Sequence, residues 1–117
     1  MKYSKIIIAI FALHLTACTK AIIDEGAVTL PPIDEHVGYD PEVQNIMYNY
    51  CITCHGGSAP SAGISLTTYE EVKSQAENGQ LLHVINDATN PMPPNNLLPL
   101  EIRQKLQKWA DDGFPQQ

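Results

Sequence analysis

The stretch Cys51-Ile52-Thr53-Cys54-His55 decides how the rest of the chain must be arranged. Two thiols three positions apart lie on one helical turn, so each can add to a vinyl group of a porphyrin and form a thioether. The imidazole that follows directly can bind iron from the proximal side of the ring. The C-x-x-C-H spacing is typical of c-type haem attachment. The sequence therefore predicts one covalent haem c on Cys51 and Cys54, with His55 as an axial iron ligand.

Two other cysteine chemistries compete with this interpretation. A thioredoxin-like redox pair shares the C-x-x-C spacing but belongs to a βαβ context. A zinc site expects a second pair of Cys or His ligands. The sequence carries neither feature, and it contains a single C-x-x-C-H, which excludes a di-haem arrangement within this chain.

The chain begins with the features of an export signal. Lys2 and Lys5 precede an apolar run over residues 6–15, which is shorter than the ~20 residues needed to span a bilayer. The letters LTAC at positions 15–18 then place small residues directly before a cysteine. This resembles the lipobox of bacterial lipoproteins, and the resemblance implies cleavage before Cys18 and lipidation of that cysteine. An ordinary secretory signal with an incidental cysteine is the alternative.

These features predict a division of the chain into three parts. Residues 1–17 are expected to be a lipoprotein signal peptide, which places the protein on the periplasmic side of a bacterial membrane, anchored by Cys18. Residues 18–39 have no helical period and contain a proline pair, which predicts an N-terminal tether. Residues 40–117 are short enough for one small domain only. Since one cysteine takes the lipid and two take the haem, no disulfide is expected, even in an oxidising compartment.

The net charge of the chain indicates which kinds of partner it can bind. The sequence has 13 acidic and 7 basic residues. Removal of residues 1–17 takes away Lys2 and Lys5, so the formal net charge falls from −6 to −8. This balance argues against nucleic acid as a partner. It favours redox partner proteins that carry a basic docking patch.

Four helical segments are expected after the tether, so the predicted fold class is all-α. Asp40 before Pro41 is a cap for the first segment, and Thr68 with Glu71 forms a capping box for the second. Trp109 lies on the apolar face of the last helix and is expected to pack against the first helix and the haem rim. The segments begin near Asp40, Thr68, Leu81 and Pro99 or Leu100, and end near Gly56, Asn78, Ile85 and Asp112.

The second chemical feature is a single methionine framed by three prolines, in the run from Pro91 to Pro94. Proline fixes φ and removes a backbone donor, so this segment is expected to be a stiff loop presenting one thioether. Iron in c-type cytochromes commonly takes methionine as its sixth ligand, which makes Met92 the predicted one. His83 is the rival, because it would give a bis-histidine haem. Met47 lies one turn before Cys51 and is tied to the proximal helix.

Three motifs together resemble a small mono-haem class I c-type cytochrome. They are the C-x-x-C-H at residues 51–55, Met92-Pro93-Pro94, and Trp109-x-x-x-Gly113. The resemblance covers roughly residues 39–114. It implies a cytochrome c fold, with three to four short helices around one covalently bound haem and terminal helices that cross beside it. No run of lysines surrounds the expected haem edge, unlike in the mitochondrial carriers. The resemblance therefore does not imply that this chain binds the docking partners of those carriers.

The expected function follows from the ligand set. With His55 and Met92 both on iron, no coordination position is open to substrate, so the metal can only cycle between Fe(II) and Fe(III). This predicts a membrane-tethered electron carrier and not an enzyme. Two alternatives stay open: a haem-bearing electron-transfer subunit of a larger oxidoreductase complex, and a ligand-binding haem sensor if Met92 is displaceable.

Overall fold

The computed structural model describes residues 30–117, so the predicted signal peptide and Cys18 lie outside the described residues. The described part is all-α, as predicted, and contains no β-strand. Its helices are α1 (Gln44–Tyr50), α2 (Ile52–His55), α3 (Tyr69–Glu77), α4 (Gln80–Asn86) and α5 (Leu100–Asp111), with a π-helical turn at Tyr39–Val43 and a 3₁₀ turn at Ser61–Gly63. Within residues 30–117, none of these helices has the length and apolar character needed to cross a membrane.

The first predicted helix is interrupted at Cys51, which explains why five α-helices are found where four were expected. Cys51 has φ −122° and ψ −39°, outside the helical range. Its N–H still bonds the Met47 carbonyl at 2.8 Å, and its own carbonyl accepts from the His55 N–H at 2.9 Å. The hydrogen-bonded ladder therefore continues through the break, and the haem motif stays attached to the end of α1.

The predicted cap at Asp40 is wrong. The helical region that begins at Tyr39 has no side-chain capping hydrogen bond, and Asp40 itself is extended, with φ −104° and ψ 116°. Its N–H donates instead to the Gln116 carbonyl at 3.0 Å. The backbone of this residue is used to pair the two ends of the described chain, so its side chain is not placed over the helix start.

The capping box of α3 is confirmed. The Thr68 hydroxyl accepts from the Glu71 N–H at 3.3 Å, and the Glu71 carboxylate accepts from the Thr68 N–H at 3.1 Å. Gly79 follows α3 with φ +79°, a left-handed conformation that favours glycine. The α4 helix begins at the next residue, so α3 and α4 are joined without a longer loop.

The core is one cluster of apolar side chains drawn from every α-helix except α2. Trp109 is fully buried, with its ring centroid 5.0 Å from that of Phe114 and 6.1 Å from that of Tyr39. Its indole N–H donates to the Pro115 carbonyl at 2.9 Å, which satisfies the one polar atom of the side chain. Val72 and Ala76 are also buried, so α3 contributes to the core.

The start and end of the described chain are paired in what we call the terminal clasp, residues 36–40 with 115–117. The Tyr39 N–H donates to the Pro115 carbonyl at 2.9 Å, and the His36 imidazole donates to the Gln117 carbonyl at 2.8 Å. Gly38 makes this approach possible, because a Cβ there would lie 2.9 Å from the Gln117 carbonyl carbon. Val37 and Tyr39 are buried in the core, so the packed body includes residues that the sequence analysis assigned to the tether.

Candidate functional site

The two features singled out in the sequence line one cleft. Cys51, Cys54 and His55 form part of its wall, and Met92, which is 37 positions beyond His55, forms another part. The cleft volume is about 370 Å³, within the ~300–1,000 Å³ usual for ligand and cofactor sites. Its lining is almost entirely apolar, and no Asp, Glu, Lys or Arg that the structure describes takes part in it. Such a wall suits a large apolar ring.

The His55 imidazole has a defined orientation. Its Nδ1 lies 2.9 Å from the Ile64 carbonyl oxygen. A carbonyl can only accept, so Nδ1 carries the hydrogen and Nε2 keeps its lone pair for a metal. The His55 carbonyl in turn accepts from the Leu66 N–H at 2.9 Å. The segment around Ile64 therefore holds both the side chain and the backbone of the predicted proximal ligand.

That segment is anchored by the carboxylate of Glu71. One of its oxygens accepts from the Ser65 hydroxyl at 2.9 Å, the Thr67 N–H at 2.8 Å, the Thr67 hydroxyl at 2.9 Å and the Thr68 N–H at 3.1 Å. Hydrogen bonds from Thr67 and Ser65 lower the pKa of Glu71 to about 2. Sequence reasoning identified Glu71 as a helix cap only. The hydroxyl residues Ser65, Thr67 and Thr68, which come just before Glu71, are the sequence feature that could have indicated its role in anchoring this segment.

The two cysteines are both free thiols in the described chain, with Cys51 half-buried and Cys54 exposed. Burial raises the pKa of the Cys51 thiol from 9.0 to about 11. Residues 30–117 contain no β-strand, so the βαβ context of a thioredoxin-like dithiol is absent from the described part of the chain. Within residues 30–117, no group of three or more His, Cys, Asp or Glu side chains is placed to hold a metal ion.

Met92 lies in an irregular segment between α4 and α5, here called the Met92 loop, residues 87–99. Its N–H donates to the Val84 carbonyl at 2.9 Å, which ties the loop to α4. Its side chain lines the cleft and is 36% exposed. The loop therefore presents the Met92 side chain to the cleft.

The rival residues lie elsewhere. His83 is exposed and does not line the cleft. Met47 is buried in the core, and it too is absent from the cleft wall. Trp109 packs among aromatic rings of the core. It does not line the cleft, so the predicted contact between Trp109 and a haem rim is not found there. Of the three candidates for the distal ligand, Met92 alone lines the cleft in the described residues.

Four polar cleft residues were missed by sequence reasoning. Uncharged hydrogen-bonding groups are added to the largely apolar lining by Tyr50, Ser61, Gln75 and Gln80. Tyr50 is 40% exposed, at the end of α1 directly before the haem motif. Side chains of this kind can donate to carboxylates such as haem propionates. Their role depends on which helix faces meet across the cleft, and no local pattern reveals that.

The residues present fit a covalent haem c. The wall of one apolar cleft supplies two thiols at the attachment spacing, an imidazole whose Nε2 is free, and a soft thioether from a separate loop. Imidazole and thioether are the axial pair found in many cytochromes c. Cys51 and Cys54 would form the thioethers, and His55 and Met92 would be the axial ligands.

A comparison with known protein families supports a cytochrome c-like protein. Residues 51–96 match the family model described as Planctomycete cytochrome C. The match begins at the first cysteine of the haem motif and ends beyond Met92, so it includes both features, although it covers less than half of the chain. No curated protein and no solved structure matches the chain. The family match and the helical architecture support a cytochrome c-like protein with covalent haem c and a haem-based electron-transfer role.

Proposed function

We propose that this chain is a mono-haem electron carrier, anchored to the periplasmic side of a bacterial membrane through lipidated Cys18. The observation that carries the electron-transfer part is the shared cleft of Cys51, Cys54, His55 and Met92. Haem c bound there supplies one-electron exchange between Fe(II) and Fe(III). The export signal and lipobox of the sequence support the anchoring part.

Each cleft residue has a role suited to a carrier. Two thioethers from Cys51 and Cys54 fix the ring in place. The Ile64 carbonyl holds the His55 imidazole in the tautomer that leaves Nε2 free. The Met92 thioether favours the reduced metal and raises the potential. No Asp, Glu, Lys or Arg of the described residues lines the apolar wall.

The proposed partners are redox proteins with a basic docking patch, since the mature chain is strongly acidic. Complementary charge acts mainly on the association rate. Electron exchange with such a partner should therefore slow as salt rises. A rate that is constant from low to high ionic strength would assign docking to apolar contacts instead.

A second candidate function is a haem protein that binds a small ligand at iron. The sparse attachment of the Met92 loop favours it, because the Met92 N–H to the Val84 carbonyl is the one hydrogen bond from residues 91–97 to a helix in the described chain, and a loosely held thioether can be displaced. The two candidates differ in one property. In a carrier, Met92 would stay bound to iron in both oxidation states. In a sensor, the small ligand would replace Met92 on iron.

The deciding experiment compares the holoprotein with Met92→Ala and His83→Ala. The wild type is expected to show a sulfur-to-iron charge-transfer band when oxidised and to bind carbon monoxide poorly when reduced. Met92→Ala should lose the band and bind carbon monoxide, while His83→Ala should match the wild type. A wild type without the band, or one that binds carbon monoxide readily, would overturn the carrier proposal.

The anchoring proposal is tested separately on the full-length chain. Wild type should partition with membranes and carry an acyl-sized mass increment at Cys18. Cys18→Ser should lose both properties while retaining its haem. If Cys18→Ser keeps the acyl mass and the membrane fraction, the lipid is not on this residue.

A further inference from the structure

Arg103 joins the two ends of the Met92 loop. It lies in the first turn of α5, directly after the loop. Its Nη1 donates to the Asn86 side-chain oxygen at 2.9 Å, and its Nε donates to the Leu98 carbonyl at 3.0 Å. Asn86 is the last residue of α4, and Leu98 is near the end of the loop. One guanidinium therefore bonds the chain just before the loop and the chain just before α5.

Both acceptors are themselves fixed. The Asn86 side-chain amide donates to the Leu82 carbonyl at 2.8 Å, which holds it against the preceding turn of α4. Leu98 is 4% exposed, with its side chain in the core. The planar fork of a guanidinium holds two such acceptors in one rigid geometry, whereas an ammonium is a compact charge whose donors rotate. Arg103 thus sets the separation between two anchored points.

The loop between those points has few other attachments. Within residues 91–97 of the described chain, the Met92 N–H to the Val84 carbonyl is the one hydrogen bond to a helix. Three prolines in this stretch lack an N–H and limit backbone pairing. The position of the Met92 thioether therefore depends on how firmly the loop ends are held.

We propose that Arg103 is a positioning residue for Met92. By fixing the span of the Met92 loop, it keeps the thioether at the cleft and opposes its displacement by competing ligands. Both partners of the guanidinium are neutral oxygens, so the effect depends on hydrogen-bond geometry and not on charge pairing. The inference rests on the proposed axial role of Met92.

The test measures imidazole binding to the oxidised holoprotein, since imidazole competes with the thioether for iron. Arg103→Gln should bind imidazole about tenfold more tightly than wild type, as expected for the loss of two hydrogen bonds. Arg103→Lys retains the charge but not the fork, and it should show most of the same increase. Asn86→Ala removes one end of the bridge and provides a variant with a smaller perturbation should Arg103→Gln fold poorly.

Two controls separate positioning from a general loss of stability. Lys105→Gln removes a positive charge two residues away on α5, where the side chain contacts Glu35 and Glu101 and not the loop. It should leave imidazole affinity unchanged. In a Met92→Ala background, Arg103→Gln should add nothing to the affinity, because the group it positions is gone.

The outcomes distinguish this inference from the proposed function. If Met92→Ala leaves the charge-transfer band intact, the axial role of Met92 is wrong and the inference fails with it. If Met92→Ala removes the band but Arg103→Gln, Arg103→Lys and Asn86→Ala all bind imidazole as wild type does, the positioning role alone is overturned. An equal increase from Arg103→Gln with and without Met92 would also overturn it.

Discussion

The two sides of the candidate haem site are held in different ways. On the proximal side, His55 is hydrogen-bonded to the Ile64 carbonyl and to the Leu66 N–H. The neighbouring Ser65 and Thr67 donate hydrogen bonds to the Glu71 carboxylate. On the distal side, the Met92 loop has one hydrogen bond to α4 and a bridge between its ends from Arg103. The proximal ligand is bonded through both its side chain and its backbone, whereas Met92 is bonded through its backbone N–H alone.

This difference indicates which side should yield first. The hydrogen bond to the His55 imidazole holds that side chain directly, whereas the Met92 side chain is held only through a loop whose ends depend on the packing of α4 against α5. We therefore expect mild denaturant to release Met92 from iron before His55. The experiments below test this comparison in order of decreasing expected effect.

The largest effect is expected from Cys51→Ser combined with Cys54→Ser. Both thioether bonds are lost, so the chain should carry no covalent haem and should lose the apolar body on which its helices pack. Mass measurement after acid–acetone extraction should give the bare polypeptide, while wild type keeps the haem mass. The single variant Cys18→Ser is the matched control, and its haem content should be unchanged. Haem retained on the double variant would contradict the assignment of both cysteines.

Met92→His should have the next largest effect. Imidazole replaces a soft thioether, so iron remains six-coordinate while the reduction potential falls by a fraction of the ~0.8 V range set by axial ligands. Redox titration and the loss of the sulfur-to-iron band measure both changes. Met47→Leu is the control, because Met47 is buried away from the cleft. An unchanged potential in Met92→His would place the distal ligand elsewhere.

Glu71→Gln tests the proximal anchor through pH. Hydrogen bonds in the folded state lower the pKa of Glu71 from 4.5 to about 2. A lowered folded-state pKa gives stability that is present above pH 4.5 and is lost as pH falls toward 2. The difference in urea midpoint between wild type and Glu71→Gln should therefore be largest near pH 6 and shrink between pH 4.5 and 2.

The control for that experiment is Glu77→Gln on the same helix, where an exposed carboxylate pairs with Lys73. Surface pairs of this kind contribute little, so its urea midpoint should stay near that of wild type at every pH. A wild-type advantage over Glu71→Gln that persists unchanged to pH 2 would mean that the Glu71 charge is not what anchors the segment.

The smallest effect is expected at the start of the Met92 loop. Asp87 accepts from the Thr89 N–H and hydroxyl and from the Asn90 N–H, and the bonds from Thr89 lower the pKa of this carboxyl. Asp87→Ala removes a local turn but leaves the Arg103 bridge. Imidazole affinity should rise about twofold, less than for Arg103→Gln. A larger rise than that of Arg103→Gln would locate control of the loop in the turn and not in the bridge.

Sequence reasoning found the features that depend on local backbone chemistry. The Thr68 and Glu71 capping box, and the glycine after α3, follow from patterns a few residues long. It also brought Cys51, Cys54, His55 and Met92 together, because their chemistry is carried by residue type and spacing. Those residues line one cleft, as expected.

The missed features all depend on tertiary structure. Asp40 was assigned as a cap, but its N–H is taken by Gln116, 76 positions later in the chain. The Arg103 bridge to Asn86 spans 17 positions, and a charged residue on a helix ordinarily indicates only a solvated face. The break at Cys51 leaves the apolar period of α1 intact, so the sequence pattern does not reveal it.

The terminal clasp has a mechanical consequence. A force applied to the chain ahead of the clasp would first load the contacts of Leu30 and Glu35 with α5. It would then load the clasp bonds of His36 and Tyr39 to residues 115–117 and the buried Val37 side chain. Since the Trp109 indole also bonds Pro115, that load passes into α5 before it can strain α1. The clasp therefore transfers to α5 part of any tension along residues 30–36.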